Sequence, residues 1–262
     1  MKFFKPNFWK TKNLISFLFY PLSIITYAFN QLKKLSFRHN FNIKIICVGN
    51  IYIGGTGKTS LAIEINKLLK KKYKTVLIKK NYNYQKDEVN LLKKNGKVIN
   101  TMSRINSLKI AQKNKFKIAI LDDGLQQKNI SYDLKIACFN STDGLGNGFL
   151  LPAGPLRESM YELKNYDVFF LNGEKKNYKL KKKIILYNKN IKFFESTYEP
   201  INLKKFDRNK KYLMFCGVGN PSEFENTLFK YKFKIEEKII FPDHYRISNH
   251  EIKNLKSKAS RK

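Results

Sequence analysis

A glycine-rich segment near the start of the chain constrains the fold more than any other feature. It reads GNIYIGGTGKTS over residues 49–60, follows the apolar run KIICV and precedes a stretch with helical spacing of apolar residues. A strand, a glycine-rich turn and a helix in this order are typical of a phosphate-binding loop. The usual pattern begins with glycine where this chain has Tyr52, so we expect Gly54 and Gly55 to supply the flexibility.

The residue types of this loop suit phosphate binding. Glycines let backbone N–H groups approach phosphate oxygens, and the N-terminus of the following helix adds positive potential. A lysine such as Lys58 reaches the β- and γ-phosphates of a nucleotide, and a threonine such as Thr59 holds Mg²⁺. We therefore predict nucleotide contacts at Tyr52, Ile53, Gly54, Gly55, Thr56, Gly57, Lys58 and Thr59, and a metal contact at Thr59.

Strand-like apolar runs alternate with helical patterns along most of the chain. We predict further strands at residues 116–121, 134–139, 167–172 and 212–216, and helices at 104–114, 221–230 and 248–258. Such alternation indicates βαβ units and a mostly parallel sheet flanked by helices. The predicted fold is α/β and P-loop NTPase-like, with a smaller second α/β lobe and an N-terminal membrane-associated helix.

Composition sets the predicted boundaries of these parts. Asn, Lys and Tyr dominate around residues 175–205, where the hydrophobic periodicity fades. We therefore predict an N-terminal anchor segment at residues 1–40, a phosphate-binding core at 41–175 and a C-terminal α/β lobe at 176–262.

Two adjacent acids follow a second apolar run. In KIAILDDGLQQ the run ends in Asp122 and Asp123. A carboxylate at the carboxyl end of a parallel strand lies beside the phosphate loop, where it can bind Mg²⁺ directly or through water. Together the two motifs predict a nucleotide phosphate transferase or hydrolase with a Mg²⁺ site at these acids.

The N-terminal region combines apolar, aromatic and basic residues. Its apolar run, residues 14–29, is shorter than the roughly 20 residues that a spanning helix requires, and Pro21 interrupts it. Aromatic residues beside lysines are typical of an anchor in the interface of an anionic membrane. The alternative is an amphipathic helix packed on the protein's own core.

The net charge is +32, with 52 Lys and Arg against 20 Asp and Glu. Such a charge attracts polyanions, including nucleic acid, anionic lipid headgroups and phosphorylated substrates. A basic nucleic-acid-binding ATPase is therefore an alternative, but the apolar N-terminus and the lack of a nucleic-acid-binding module argue against it. The three cysteines, each within an apolar run, are expected to be buried and reduced.

Three further segments carry a family resemblance. They are GNGFLLPAGPLRE at residues 146–158, FCGVGNPSEFENTL at 215–228 and FPDHYRIS at 241–248. With DDGLQ and the N-terminal apolar run, they resemble the tetraacyldisaccharide 4'-kinase family, in matching order from residue 8 to 251. The resemblance implies transfer of the γ-phosphate of ATP, with Mg²⁺, to the 4'-hydroxyl of a lipid A disaccharide precursor. It also implies peripheral or monotopic association with the cytoplasmic face of the inner membrane.

The resemblance also assigns residues. In this family an Asp in a G-D-E-P stretch acts with the His of the D-H motif on the acceptor hydroxyl, and the matching residues are Asp87 and His244. Arg104, Arg157 and Glu158 match positions for phosphate or Mg²⁺ contacts, with Glu158 assigned to the metal.

The sequence departs from the family in places. The family's R-G-Y-G is Lys80-Asn81-Tyr82-Asn83 here, which removes a bidentate phosphate contact. The family also continues into a T-E-K-D segment that this sequence lacks, so we expect a shorter second lobe. A non-catalytic homologue that still binds nucleotide is therefore a further alternative.

Overall fold

A seven-stranded parallel sheet forms the centre of residues 6–196, the larger of two units. The computed structural model describes residues 5–82, 85–174, 176–243 and 245–260. The spatial order is β3-β2-β4-β1-β5-β6-β7, and every neighbouring pair is parallel. The strands are β1 (Lys44–Gly49), β2 (Thr75–Lys80), β3 (Val98–Thr101), β4 (Ile118–Asp122), β5 (Leu134–Asn140), β6 (Val168–Asn172) and β7 (Lys192–Ser196).

Helices connect most consecutive strands of this sheet. They are α3 (Lys58–Leu69), α4 (Lys86–Asn95), α5 (Arg104–Lys113) and α6 (Tyr178–Tyr187). Because parallel strands need crossover connections, each helix returns the chain to the same end of the sheet. The predicted parallel α/β fold is confirmed.

The hydrophobic core lies against both faces of the sheet. Ile45 and Cys47 of β1 belong to one buried cluster, whereas Val48 belongs to another. On β2 the same alternation separates Ile78 from Leu77. Alternate residues of a strand point to opposite faces, so helices cover both sides and the strands read as continuous apolar runs.

The larger unit extends further along the chain than predicted. Strand β7 pairs with β6 in register from Val168 opposite Lys192 to Asn172 opposite Ser196. The chain from residue 176 to Ser196 therefore belongs to the larger unit, not to the second lobe. The second unit starts at Thr197.

A βαβ arrangement forms the smaller unit. Strands β8 (Lys211–Cys216) and β9 (Lys234–Ile240) pair in parallel, with α7 (Pro221–Lys230) between them in sequence. Asn220 caps α7 by accepting a hydrogen bond from the backbone N–H of Glu223, and Pro221 occupies its first position. Helix α8 (Asn249–Ser260) follows.

The N-terminal helices α1 (Leu14–Leu18) and α2 (Tyr20–Lys34) bury polar residues and expose apolar ones. Ser16 and Ser23 are their buried residues, whereas Ile25 is 66% exposed and Leu32 63% exposed. The Oγ of Ser23 donates a hydrogen bond to the backbone carbonyl of Leu150 at 2.8 Å. The helices thus pack on the unit through their polar side. Within the described ranges, no helix has the length and apolar character needed to cross a bilayer.

Candidate active site

The glycine-rich loop runs from the end of β1 to the first residue of α3, Lys58. Gly54 has a φ of 120° and Gly57 a φ of 82°. These backbone conformations are accessible to glycine at little cost. They turn the chain into α3, whose first backbone N–H groups have no partner within the helix and point towards the loop. Gly54 therefore supplies the flexibility expected of it.

A second segment, residues 155–157, supports the loop through two backbone hydrogen bonds. The backbone N–H of Ile53 donates to the carbonyl of Pro155 at 2.9 Å, and that of Arg157 donates to the carbonyl of Ile51 at 2.7 Å. Between them, Tyr52 is 5% exposed and packs in the core. Its side chain therefore anchors the loop to the core, and the nucleotide contact predicted for Tyr52 stays a prediction.

Asn50 cross-links the loop and its support. Its side-chain Nδ2 donates to Thr56 Oγ1 at 3.0 Å, and its Oδ1 accepts from the guanidinium of Arg157 at 3.0 Å. Its backbone carbonyl accepts from Gln126 Nε2 at 2.8 Å. One buried amide thus holds the loop, residue 157 and the turn after β4 in a fixed relation.

Asp122 lies at the carboxyl end of β4, opposite Val48 of the neighbouring β1. Its Oδ2 accepts a hydrogen bond from Thr59 Oγ1 at 2.9 Å, and its side chain is fully buried. Its Oδ1 is buried and has no hydrogen-bond partner among the described residues. The two predicted metal-binding residues, Thr59 and Asp122, therefore lie side by side, with one carboxylate oxygen unused.

A buried lysine shares the same carboxylate. Lys79, near the end of β2, is 2% exposed, and its Nζ lies 2.8 Å from Asp122 Oδ2. It also forms an ion pair with Glu88 of α4. Burial alone would lower the pKa of Lys79, but the charges of Asp122 and Glu88 outweigh it and raise the pKa above its ordinary value.

Asp123 follows in a left-handed conformation, with a φ of 62°. Its Oδ1 lies 2.7 Å from the guanidinium of Arg157 and 3.9 Å from Lys58 Nζ. Burial opposes ionisation, but the charges of Lys58 and Arg157 outweigh it and hold the pKa of Asp123 below its ordinary value. The predicted residues Lys58, Asp123 and Arg157 are therefore brought together as one charged cluster.

Comparisons with known proteins identify the family of this chain. The model of a family described as tetraacyldisaccharide-1-P 4'-kinase matches residues 15–262. The chain belongs to this family. A tetraacyldisaccharide 4'-kinase from Pelagibacter ubique is 44% identical over 97% of this chain and 82% of its own length. One from Rickettsia canadensis is 34% identical over 99% of this chain and 84% of its own length.

A solved structure supports the fold assignment. The crystal structure of the "apo" form of LpxK from Aquifex aeolicus in complex with ATP matches this chain with a TM-score of 0.68 at 22% identity. The match covers 90% of this chain and 84% of that chain. The tetraacyldisaccharide 4'-kinase fold therefore extends over most of the present chain.

Arg104, assigned through the family, lies at the start of α5 and is 7% exposed. One guanidinium nitrogen donates to the backbone carbonyl of Asp123 at 2.5 Å, and the other donates to Gln127 Oε1 at 3.2 Å. Its Nε is buried without a hydrogen-bond partner in the described part of the chain. Arg104 thus lies beside the charged cluster, and among the described residues its guanidinium donates only to neutral acceptors.

The carboxylate of Glu158 contacts three neighbouring side chains. Its Oε1 pairs with Lys128 at 2.6 Å, and its Oε2 accepts from Tyr166 at 2.7 Å and Gln126 at 3.1 Å. Both carboxylate oxygens are therefore occupied, and the residue is 1% exposed. The metal role predicted for Glu158 stays a prediction, and in this structure its charge is compensated by the ion pair with Lys128.

Of the two residues predicted to activate the acceptor hydroxyl, the structure describes only Asp87. Asp87 lies in the first turn of α4, next to Glu88, and is exposed. A carboxylate in the first turn of a helix interacts favourably with the helix dipole. His244 lies outside the described residues. The pairing of Asp87 with His244 therefore stays a prediction.

Sequence reasoning missed Asn50, Lys79 and Lys128. Asn50 lies inside the glycine-rich segment, so its position in the sequence could have indicated a role in the site. Lys79 follows an apolar run, a position at which a lysine is usually solvent-exposed. Its contact with Asp122 arises because β2 and β4 are neighbours in the sheet. Lys128 follows DDGLQQ and pairs with Glu158 and Glu162.

Proposed function

We propose that this chain is an ATP-dependent kinase that transfers the γ-phosphate of ATP to the 4'-hydroxyl of a tetraacyldisaccharide 1-phosphate in lipid A biosynthesis. Membership of the family, with relatives named as tetraacyldisaccharide 4'-kinases, supports the activity. One structural observation gives the strongest support for this activity. The buried Asp122 carboxylate is bonded to Thr59 and keeps one oxygen unused beside the glycine-rich loop.

ATP lies with its phosphates on residues 53–59 in this proposal. The left-handed Gly54 and Gly57 bring backbone N–H groups towards phosphate oxygens, and α3 adds the positive end of its dipole. LpxK from Aquifex aeolicus was crystallised in complex with ATP, which supports the same ligand here.

The residues present fit a Mg²⁺ site. Mg²⁺ is commonly held by one or two carboxylates together with substrate phosphates and water. Asp122 Oδ1 and the hydroxyl of Thr59 meet this need, although the described residues contain no cluster of three or more His, Cys, Asp or Glu able to hold a metal. When bound, Mg²⁺ neutralises charge on the phosphate oxygens.

Lys58 and Arg157 stabilise the phosphoryl group during transfer. Both are cationic and meet at Asp123, which holds them at 3.9 Å and 2.7 Å. Positive groups that are positioned before the reaction stabilise developing charge without reorganisation. In this proposal Asp123 orients the two cations, in place of the direct metal contact predicted from the sequence.

Asp87 accepts the proton of the acceptor hydroxyl, and His244 orients Asp87. A sugar hydroxyl is a poor nucleophile until a base takes its proton as the new bond forms. The exposure of Asp87 at the start of α4 leaves it accessible to an incoming substrate.

The acceptor is a lipid, and the N-terminal helices provide a surface for it. Exposed apolar residues cover the outer side of α1 and α2, for example Leu18, Ile25 and Leu32. Lys33 and Lys34 lie in the last turn of α2. This combination fits peripheral or monotopic binding to an anionic membrane surface, which we place at the cytoplasmic face of the inner membrane, where ATP is present.

The test is transfer of label from γ-labelled ATP, in the presence of Mg²⁺, to tetraacyldisaccharide 1-phosphate. We expect labelled lipid with the purified full chain and none when the acceptor lacks the 4'-hydroxyl. Binding of ATP without transfer to the lipid would instead identify a non-catalytic homologue. Release of inorganic phosphate without labelled lipid would indicate an ATPase.

A further inference from the structure

An ion pair ties the first turn of α4, which carries Asp87, to the parallel sheet. Glu88, the next residue of the helix, pairs with the ammonium group of Lys79 on β2. Lys79 is buried and Glu88 is half-buried. Two opposite charges withdrawn from water attract each other more strongly than two charges at the surface. The start of α4 is therefore held by an interaction that solvent screens only weakly.

The two ends of α4 are held by different contacts. Within the described residues, the side chain of Gln85, which precedes the helix, makes no capping hydrogen bond. Two buried apolar residues of the helix add hydrophobic contact, which fixes no direction. At the far end, Asn66 Nδ2 donates a hydrogen bond to the carbonyl of Asn95 at 3.2 Å. The ion pair is thus a directional contact at the end of the helix that carries Asp87.

Lys79 is held on its other side by the candidate metal site. It lies opposite Asp122 in the register of β2 and β4, and its Nζ lies 2.8 Å from Asp122 Oδ2. The same oxygen accepts the hydrogen bond of Thr59. Asn100 Nδ2 donates to the backbone carbonyl of Lys79 at 2.8 Å, which holds the end of β2. A series of direct contacts therefore runs from Thr59 and Asp122 through Lys79 to the first turn of α4.

We propose that Lys79 is a positioning residue, which sets the first turn of α4, and with it Asp87, relative to the candidate metal site. The inference rests on the proposed function and adds a residue to its machinery. A base has to lie within hydrogen-bond reach of the hydroxyl whose proton it takes. A displacement of about 1 Å in an active site can lower the rate roughly 100-fold. Lys79 limits such displacement, because it joins the metal-binding end of β4 to the helix that carries the base.

Glu88→Gln tests this role, because it removes the charge on α4 that attracts Lys79 and leaves Lys79 paired with Asp122. In the ligand-free protein, amide hydrogen exchange of residues 89–92, whose N–H groups bond to the start of α4, should become roughly tenfold faster or more. In the transfer assay kcat should fall roughly 10- to 100-fold, whereas the dissociation constant for ATP should not change. A merely structural role would lower the melting temperature and leave the kcat of the folded protein unaltered.

Lys79→Met and the double variant show whether the two residues act together. Lys79→Met should also speed the exchange of residues 89–92 and lower kcat. If Lys79 acts through Glu88, the loss of kcat in the double variant should be clearly smaller than the product of the two single losses. Lys67→Met and Glu64→Gln, which break an exposed pair on α3, are the matched controls and should change neither quantity.

Three results would overturn the proposal: unchanged exchange in Glu88→Gln, faster exchange with an unchanged kcat, or losses of kcat that multiply fully in the double variant. If the wild type transfers no phosphate to the lipid, the proposed function fails. The hydrogen exchange of α4 then still tests the link from Lys79 to Glu88, since that measurement needs neither ATP nor acceptor.

Discussion

Lys79 Nζ lies 2.8 Å from Asp122 Oδ2, the same oxygen that accepts the hydrogen bond of Thr59. Because Lys79 also pairs with Glu88, one ammonium group compensates two carboxylates in the interior of the unit. The candidate metal-binding carboxylate thus has a permanent internal counter-charge. The ion pair uses one carboxylate oxygen and leaves the other, Oδ1, without a hydrogen-bond partner among the described residues.

Lys79→Met should destabilise the protein strongly in the absence of ligand. It leaves the buried Asp122 carboxylate without its cation, a loss that usually costs about 3–5 kcal/mol. Addition of Mg²⁺ and ATP should recover more stability in the variant than in the wild type, because the metal replaces the missing charge. Thermal unfolding with and without Mg²⁺ and ATP measures both effects.

Lys44→Met provides the matched control, since Lys44 pairs with Asp133 at an exposed site at the start of β1. Its loss of stability should be below about 1 kcal/mol. Equal losses in the two variants would contradict the role assigned to Lys79.

Lys58→Ala should reduce phosphoryl transfer at least roughly 100-fold while the fold is retained, because a preorganised charge on the transferring group is removed. Turnover and the circular dichroism spectrum should be measured together. Lys67→Ala, on the same helix and paired with Glu64 at the surface, should keep full activity. Unchanged turnover in a folded Lys58→Ala protein would rule out the assignment.

Asp87→Ala and His244→Ala should each lower kcat by roughly 10²–10⁴-fold, the scale of acid–base assistance. ATP binding should barely change. Because the two residues are expected to act as one unit, the double variant should be little worse than either single variant. Lys86→Ala, one residue before Asp87, is the control. Fully multiplicative losses would show independent action, and a Mg²⁺ requirement shifted by Asp87→Ala would assign that residue to the metal.

Substitution of Ile25 and Leu32 by Glu should weaken binding to anionic liposomes without lowering the melting temperature, since both side chains are largely exposed on α2. Co-sedimentation at several salt concentrations measures the binding. Leu186→Glu changes an apolar residue on α6 that is even more exposed and should leave binding unaltered. Liposome binding equal to that of the wild type would argue against an interfacial role for α2.

Glu162→Gln should lower stability at neutral pH, with a difference from the wild type that disappears in acid. Burial would raise the pKa of Glu162, but the hydrogen bond from Lys34 and the charge of Lys128 outweigh it and hold the pKa below its ordinary 4.5. The stabilisation is therefore present above pH 4.5 and is lost as the pH falls through the folded-state pKa. Melting temperatures from pH 3 to 8 measure it, with the exposed Glu64→Gln as control. A constant difference across this range would contradict the ion-pair account.

Local patterns predicted much of the fold and part of the site. The glycine loop, the acids that end β4 and the alternation of strands and helices all depend on neighbours in sequence, and the structure confirms the parallel α/β fold. The contact of Lys79 with Asp122 depends instead on the order of strands β2 and β4, which periodicity does not encode. The predicted boundary at residue 176 lies before the end of the larger unit. Lys and Asn dominate the sequence there, so the pattern did not reveal that Leu180 and Ile184 of α6 pack in the core of that unit.

Helix α2 faces outward with its apolar side and, on its other side, holds the segment that supports the glycine-rich loop. Ser23 bonds to the carbonyl of Leu150, and Asn30 Nδ2 donates to the carbonyl of Arg157 at 2.8 Å. Helix α2 consequently also holds in place the segment that supports the glycine-rich loop. Removal of α2 would leave the carbonyls of Leu150 and Arg157 without these donors, so we expect a truncated protein to lose order around the loop. Polar substitutions on the exposed side of α2 would change the surface of the protein while these inner contacts stay intact.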